Sequence, residues 1–343
     1  MKRLIALAMA CLALFAAAAQ AAPSYGGRAD VDRFIAMMVE THGFKKRQLQ
    51  AVFRKVEPQP GVIKAMTLAP ESSQSWQTYR ALFVNAKRID AGVQFWNRYA
   101  GTLERAAAEF GVPEEVIVGI IGVETTYGRN MGTYRVIDAL TTLAFDSPTR
   151  NEFFRGQLES YLLFTRDAKI DVFRVKGSYA GAIGIPQFMP GSYRRFALDY
   201  DGDGRADLAE SPVDAIGSIG NFLRAHGWVP GQPVAVPARA SGESWRSLVQ
   251  SGSRARFRAR ELAWFGITPA VALDEESPCS LIELGTQGQP SELWVGLRNF
   301  DVLTQYNKAS FYAIAVLELG RSMREIVKGA PPAQAQAKPA EAQ

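Results

Sequence analysis

Residues 116 to 123 read Val-Ile-Val-Gly-Ile-Ile-Gly-Val, eight positions without one polar side chain. Pro113 suits a first helical turn, and Glu114 and Glu115 favour the positive end of a helix dipole. The segment is therefore a helix that is apolar around its whole circumference, and such a helix must be buried inside a domain. Gly119 and Gly122 each cost about 1 kcal/mol against alanine in a helix interior. That cost makes sense where another backbone or a substrate approaches closely. The helix is expected to end near Tyr127-Gly128, and its first polar side chain is Glu124. A carboxylate at the edge of an apolar helix is partly desolvated, which favours its protonated form. A carboxylic acid near neutral pH is what a leaving glycosidic oxygen needs as its general acid. The residues alone leave a second reading open, in which Glu124 marks the helix surfacing and pairs with Arg129 or another cation.

A second segment, Asp-Tyr-Asp-Gly-Asp-Gly-Arg-Ala-Asp-Leu-Ala-Glu from 199 to 210, matches a calcium loop of the EF-hand type. Asp199, Asp201, Asp203, Asp207 and Glu210 put carboxylates at the ligand positions, the carbonyl of Arg205 serves another, and Gly204 stands at the sharp turn. An acidic surface turn would share the aspartates and glycines but not their register. No paired second loop is visible, which argues for a structural ion rather than a sensor.

Lys2 and Arg3, the apolar run from Leu4 to Ala19, and Ala19-Gln20-Ala21 form an export signal with a cleavage site. Residues 1–21 are thus expected to be removed, leaving a periplasmic chain with Cys279 as its one cysteine. A lipid attachment at Cys11 is disfavoured by Ala8-Met9-Ala10 before it and the apolar run after it. Hydrophobic content of 47% supplies a substantial core. The formal charge of +5, two units of which leave with the signal, suits an anionic polymer such as the cell wall. No dense basic run with interleaved aromatics points to nucleic acid.

Helical spacing recurs at Val31, Phe34, Ile35, Met38 and Val39, and again at Leu103, Ala106, Ala107 and Phe110. The sequence divides into an N-terminal helical region (22–110), a glycine- and proline-punctuated core (111–229) and a small β region (230–298). Val234 to Val236, Leu281 to Leu284 and Leu293 to Val295 read as its strands. A final helix is expected from about Tyr306 to Val327 within 299–328, and a disordered tail over 329–343. Ser178 to Pro190 gathers small residues, Gln187 and aromatics, so a ligand could approach its backbone; Phe188 and Met189 are expected in the core. Tyr306, Asn307 and Tyr312 add hydroxyl and amide groups on aromatic surfaces.

With these segments in view, the chain resembles the lytic murein transglycosylase B family of peptidoglycan enzymes from about Phe34 to Arg321. The resemblance rests on Val116 to Gly128 around Glu124, Gly177 to Tyr193, the calcium loop, and Tyr306-Asn307. It implies a mainly α (α+β) fold: a lysozyme-like helical core with the EF-hand-type loop inserted, flanked by a helical domain and a small β domain. It implies Glu124 as the single acid/base, Tyr79, Ser178, Gln187, Tyr306, Asn307 and Tyr312 along a saccharide groove, and Arg150 near the peptide-bearing sugar. The implied reaction cleaves the β-1,4 bond between N-acetylmuramic acid and N-acetylglucosamine without water, giving 1,6-anhydromuramoyl products. Calcium would be structural, the protein monomeric, and its partners glycan strands and cell-wall enzyme complexes. Thr126-Tyr127 replaces an aromatic-plus-basic pair of relatives, and Phe222 stands where a groove tyrosine can occur.

Two other functions compete. A hydrolytic muramidase would pair Glu124 with an aspartate, but Asp138 and Asp146 read as helix-boundary residues. A non-catalytic, calcium-stabilised wall-binding protein would need no acid at all. His42 and His226 sit in no zinc or Ser-His pattern, Cys279 lacks a nucleophile motif, and no phosphate-cradling glycine loop is present.

Overall fold

Helix boundaries follow the turn residues. In the computed structural model, which describes residues 25–67, 75–250, 257–286 and 288–329, the chain separates into two units at Pro58 and Gln59. The export signal with Cys11, and the tail beyond Gly329, lie outside the described residues. Among the described residues no helix is long and apolar enough to cross a membrane.

The first unit holds α1 (Ala29–His42) and α2 (Lys46–Lys55). Val31, Phe34, Ile35 and Met38 form the buried stripe of α1, and Leu49 and Phe53 that of α2. Phe34 meets Phe53 edge to face at 6.1 Å. Gly43 closes α1 at φ 67°, where its N–H donates to Val39 O and the Phe44 N–H to Met38 O.

The second unit begins with α3 (Pro60–Thr67), α4 (Trp76–Phe83), α5 (Ala86–Arg98), α6 (Ala100–Phe110) and α7 (Glu114–Thr125). Next come β1 (Tyr134–Arg135), α8 (Val136–Phe145), α9 (Asn151–Asp167), β2 (Lys176–Gly177), α10 (Pro190–Phe196) and α11 (Pro212–Ala225). The remaining elements are β3 (Ala235–Ala240), α12 (Arg246–Gln250), β4 (Phe257–Arg258), β5 (Ile267–Pro269), β6 (Pro278–Leu284), β7 (Glu292–Gly296), α13 (Arg298–Tyr306) and α14 (Ser310–Lys328). The mainly helical fold with a small β region is as the resemblance implies.

Helix α7 is the centre of this unit. Every residue from Val116 to Val123 is buried. It pairs antiparallel with α14, and glycines set the separation. A Cβ on Gly119 would stand 2.5 Å from the carbonyl oxygen of Val316, and one on Gly320 would stand 2.3 Å from that of Glu115. The close approach foretold for Gly119 is thus by a backbone, that of α14, whereas Gly122 faces side chains, the Tyr127 phenol and Leu319. Ion pairs fix the same register at its far end, Lys328 to Glu114 at 2.6 Å and Arg324 to Glu115 at 3.6 Å.

Strands β3 to β7 form one antiparallel sheet in the order β4-β6-β7-β3-β5. Its core is Val236, Trp245, Leu262, Leu281, Leu293, Val295 and their neighbours. The sheet joins the helices through α4: the Trp76 N–H donates to Gly285 O at 2.8 Å, and its indole Nε1 donates to Glu292 Oε1 at 3.1 Å. Cys279 is buried here, and burial pushes its thiol up to about 12, as expected of a core cysteine.

Three boundaries differ from the sequence reading. Helix α7 stops at Thr125, two residues early, because Thr126 and Tyr127 both turn left-handed, at φ 51° and 61°. The final helix starts at Ser310 rather than near Tyr306, and a separate helix, α13, precedes it; between them Asn307 extends (φ −140°) and its Oδ1 accepts the Ala309 N–H at 3.0 Å. Strands β4 and β5 span only two and three residues, too short for alternation to show.

Candidate active site

The α7–α14 register brings Tyr312, in the first turn of α14, opposite Glu124 at the exposed end of α7. Glu124 is half-buried, and its Oε1 accepts the Tyr312 hydroxyl at 2.7 Å. Tyr312 is 2% exposed. Burial raises its phenol well above the ordinary tyrosine value, and the charge of Glu124 adds to the shift. Tyr306 closes α13 just before the helix break, so its ring stacks on Tyr312 at 6.3 Å and 13°. Its phenol is raised in the same way, first by burial and then by Glu124. The sequence reading offered Arg129 as a partner for the glutamate. The phenol of Tyr312 is a partner which that reading did not offer.

Against these rings packs the segment 183–188, which we take as one wall of the candidate site. Tyr306 donates its hydroxyl to Pro186 O at 2.5 Å. Gln187 adopts φ 50°, and its Nε2 donates to Gly184 O at 2.8 Å and Met131 O at 3.2 Å. Its amide thereby holds the strained turn it sits in, and the amide oxygen is the group left to accept from a ligand. Ser178 accepts the Ala182 N–H at 3.1 Å on the hairpin leading into the wall. Phe188, Phe222 and Tyr306 pack ring against ring behind it, with centroids 5.0 to 5.8 Å apart. Phe188 is a core residue as expected, Met189 is only half-buried, and Phe222 is buried at 5%.

The other candidates are placed less directly. Tyr79 is 2% exposed, within an aromatic cluster with Trp76, Phe83 and Phe311 beside Tyr312. Asn307 spends its Oδ1 on Ala309 at the helix break. Arg150 is exposed at the left-handed start of α9, its guanidinium over Phe153 at 4.5 Å and Phe154 at 5.5 Å. Asp138 is buried and held by Arg135 at 2.5 Å, and Asp146 caps α8; both are the boundary residues expected. His42 and His226 likewise stand at helix ends.

In the 199–210 loop, one oxygen each of Asp199, Asp201 and Asp203 lies within 4.8 Å of the others. Gly202 and Gly204 take φ 81° and 94°, which permits the turn that gathers them. Asp207 and Glu210 are outside this trio: Asp207 Oδ1 accepts the N–H groups of Ala209 and Glu210 at 3.1 and 3.0 Å. Arg205 is exposed, with its guanidinium 3.9 and 4.0 Å from Asp203 and Asp207. An all-oxygen donor set on a glycine turn suits a hard cation of the calcium kind.

Two supporting roles escaped the sequence reading. Asp214, fully buried on α11, accepts the N–H groups of Tyr200 and Asp201 on one limb of the loop and of Asp207 on the other, at 2.7 to 3.2 Å. Its signal was present as Ser211-x-x-Asp214, a helix-start pattern. Ser211 does cap α11 through Asp214 N, while the Asp214 carboxylate turns to the loop. Thr125, fully buried, entered that reading only as the threonine that follows the glutamate, with no role assigned.

The transglycosylase SLT domain model matches residues 26–321. The chain is 41% identical over 308 residues to membrane-bound lytic murein transglycosylase B of Escherichia coli (strain K12), covering 87% of this chain and 84% of that protein. This chain belongs to the lytic murein transglycosylase B family. The soluble lytic transglycosylase SltB1 from Pseudomonas aeruginosa superposes on this transglycosylase with a TM-score of 0.81 at 42% identity, covering 87% of this chain and 99% of that one. The Escherichia coli lytic transglycosylase Slt35 in complex with calcium gives a TM-score of 0.79 at 40% identity, over 88% of this chain and 95% of that one.

Proposed function

We propose that Glu124 performs both proton transfers of a peptidoglycan lytic transglycosylase. The enzyme cleaves the β-1,4 bond between N-acetylmuramic acid and N-acetylglucosamine without water and leaves a 1,6-anhydromuramoyl end. In the first step Glu124 protonates the leaving glycosidic oxygen, and positive charge develops at the muramoyl anomeric carbon. The substrate's own acetamido group is placed to stabilise that charge, as in substrate-assisted glycosidases. Glu124, now a carboxylate, takes the proton of the muramoyl 6-hydroxyl, whose oxygen bonds to the anomeric carbon. The acid is regenerated, and no second carboxylate or water is required.

The Tyr312–Glu124 hydrogen bond carries this reading. A phenol held neutral by burial can donate to Oε1 in both protonation states of Glu124, while the transferred proton uses the other oxygen. The donation strengthens as the carboxylate forms, which favours the change from acid to base. The wall of Ser178 and Gln187, with Tyr306 behind it, is the groove side that we assign to the sugars. Arg150, Tyr79 and Asn307 are assigned to its periphery, by resemblance.

Calcium held by Asp199, Asp201, Asp203, the Arg205 carbonyl, Asp207 and Glu210 would neutralise the carboxylates and keep the loop ordered, a structural role at extracellular calcium concentrations. The domain boundaries near 110, 229 and 298, a periplasmic monomer, and a leader cleaved after Ala21 complete the proposal. Glu124→Gln should release no soluble muropeptides from sacculi while folding normally and still sedimenting with them. Wild-type release by that variant defeats the assignment.

A further inference from the structure

We infer that Thr125 is a positioning residue, whose hydroxyl fixes Glu124 against the 183–188 wall and couples that wall's calcium-loop support to the catalytic end of α7. The inference rests on Glu124 being the acid/base.

The chain at this point is strained. Thr126 and Tyr127 are successive non-glycine residues in the left-handed region, and Thr126 is β-branched. Each such residue is disfavoured and persists only where its surroundings over-determine it. Thr125 supplies much of that determination. Its Oγ1 accepts the Gly128 N–H at 3.0 Å from the far side of the strained pair, and donates to Ile185 O at 2.9 Å on the wall. A second carbonyl, Ile121 O, lies at 3.3 Å from the same hydroxyl. Because Thr125 directly follows Glu124, its anchor sets where the glutamate leaves the helix.

Ile185 is held from the other side by the loop. Its N–H donates to Leu208 O at 2.8 Å, and Leu208 lies inside the calcium loop. The approach is tight: a Cβ on Gly184 would stand 2.5 Å from that same Leu208 oxygen. Leu208 is itself fixed, its N–H donating to the Tyr193 hydroxyl at 3.2 Å while that hydroxyl donates to Ala206 O at 2.7 Å. Its neighbour Asp207 is held by Asp214. Two hydrogen bonds through one residue, Leu208 to Ile185 to Thr125, therefore separate the loop from the residue next to Glu124. Disorder in the loop would reach the glutamate through Ile185, and the Thr125 hydroxyl is the last link.

The test compares Thr125→Val, which keeps the shape and removes the hydroxyl, with Thr125→Ser, which keeps the hydroxyl. Both are assayed on soluble GlcNAc–MurNAc oligosaccharides with calcium and with chelator, and melted under the same two conditions. Thr125→Val should lose about ten- to a hundredfold in kcat, the scale of a small misplacement of a reacting group, with KM within about threefold. Thr125→Ser should stay within about threefold of wild type. Chelation should lower kcat of the wild type and not that of Thr125→Val, while the calcium-dependent rise in Tm survives in both because Asp214 still holds the loop. Wild-type kcat in Thr125→Val, an equal loss in Thr125→Ser, or an undiminished effect of calcium on kcat of Thr125→Val would overturn the inference. Glu124→Gln assayed in parallel judges the acid/base assignment separately.

Discussion

Tyr312 donates to Oε1 of Glu124 across 2.7 Å, joining residues 188 positions apart in the chain. The contact exists because α7 and α14 run antiparallel at glycine distance. Replacing Tyr312 by Phe keeps the ring and removes the donor. A hydrogen bond to a charged group contributes about 1.5–3 kcal/mol, so kcat should fall about ten- to a hundredfold with little change in KM. Steady-state kinetics on a soluble glycan would expose an error here as an unchanged kcat.

The same burial predicts an alkaline signature. Tyr306 and Tyr312 have folded-state values well above the ordinary 10.0, while in the unfolded chain they titrate normally. Below about pH 10 both states hold the protons and these groups give no pH dependence. Above it the unfolded state loses protons that the folded state keeps, so stability falls as pH rises. Tyr312→Phe should flatten that fall in denaturant melts between about pH 10 and 11. An unchanged slope would mean that the phenol ionises in the folded protein as it does in water.

Glycine placement makes a paired prediction. Gly119→Ala drives a Cβ into the Val316 carbonyl and should destabilise by about 1–3 kcal/mol, as overpacking does. Gly156→Ala, in α9 with nothing within 4 Å of the new Cβ, should stabilise by about 0.5–1 kcal/mol. Thermal melts that rank the two in the reverse order would refute the α7–α14 packing.

These contrasts show what the sequence could and could not disclose. The helix end at Glu124 and the aspartate cluster of the 199–210 loop were legible because their signals are local: an apolar helix announces its end, and ligand spacing is counted along the chain. The cost of Gly119 was legible too, though only the fold says that α14 is what approaches. Pairing Tyr312 with Glu124 was not legible: the resemblance placed Tyr312 only along the groove, and no local pattern links positions so far apart. The role of Thr125 was hidden because a buried threonine in a helix looks the same whether or not its hydroxyl holds another segment. Asp214 was disguised, its helix-start pattern hiding a carboxylate that serves the loop.

Removing calcium should lower Tm by several degrees, since an ion at about a hundred times its Kd adds about 2.7 kcal/mol. Asp214→Asn keeps all five loop carboxylates but turns an acceptor of three N–H groups into a poorer one. It should weaken calcium binding about tenfold in calorimetric titration. Wild-type affinity in that variant would show that the loop organises itself without the α11 clamp.

The central claim is that one carboxylate suffices because the substrate's own 6-hydroxyl replaces water. Mass spectrometry of the soluble muropeptides released from sacculi tests it directly. The account predicts 1,6-anhydro products lighter by one water than the corresponding reducing sugars, from wild-type enzyme. Reducing-end products as the main species would contradict it and require a second carboxylate that activates water.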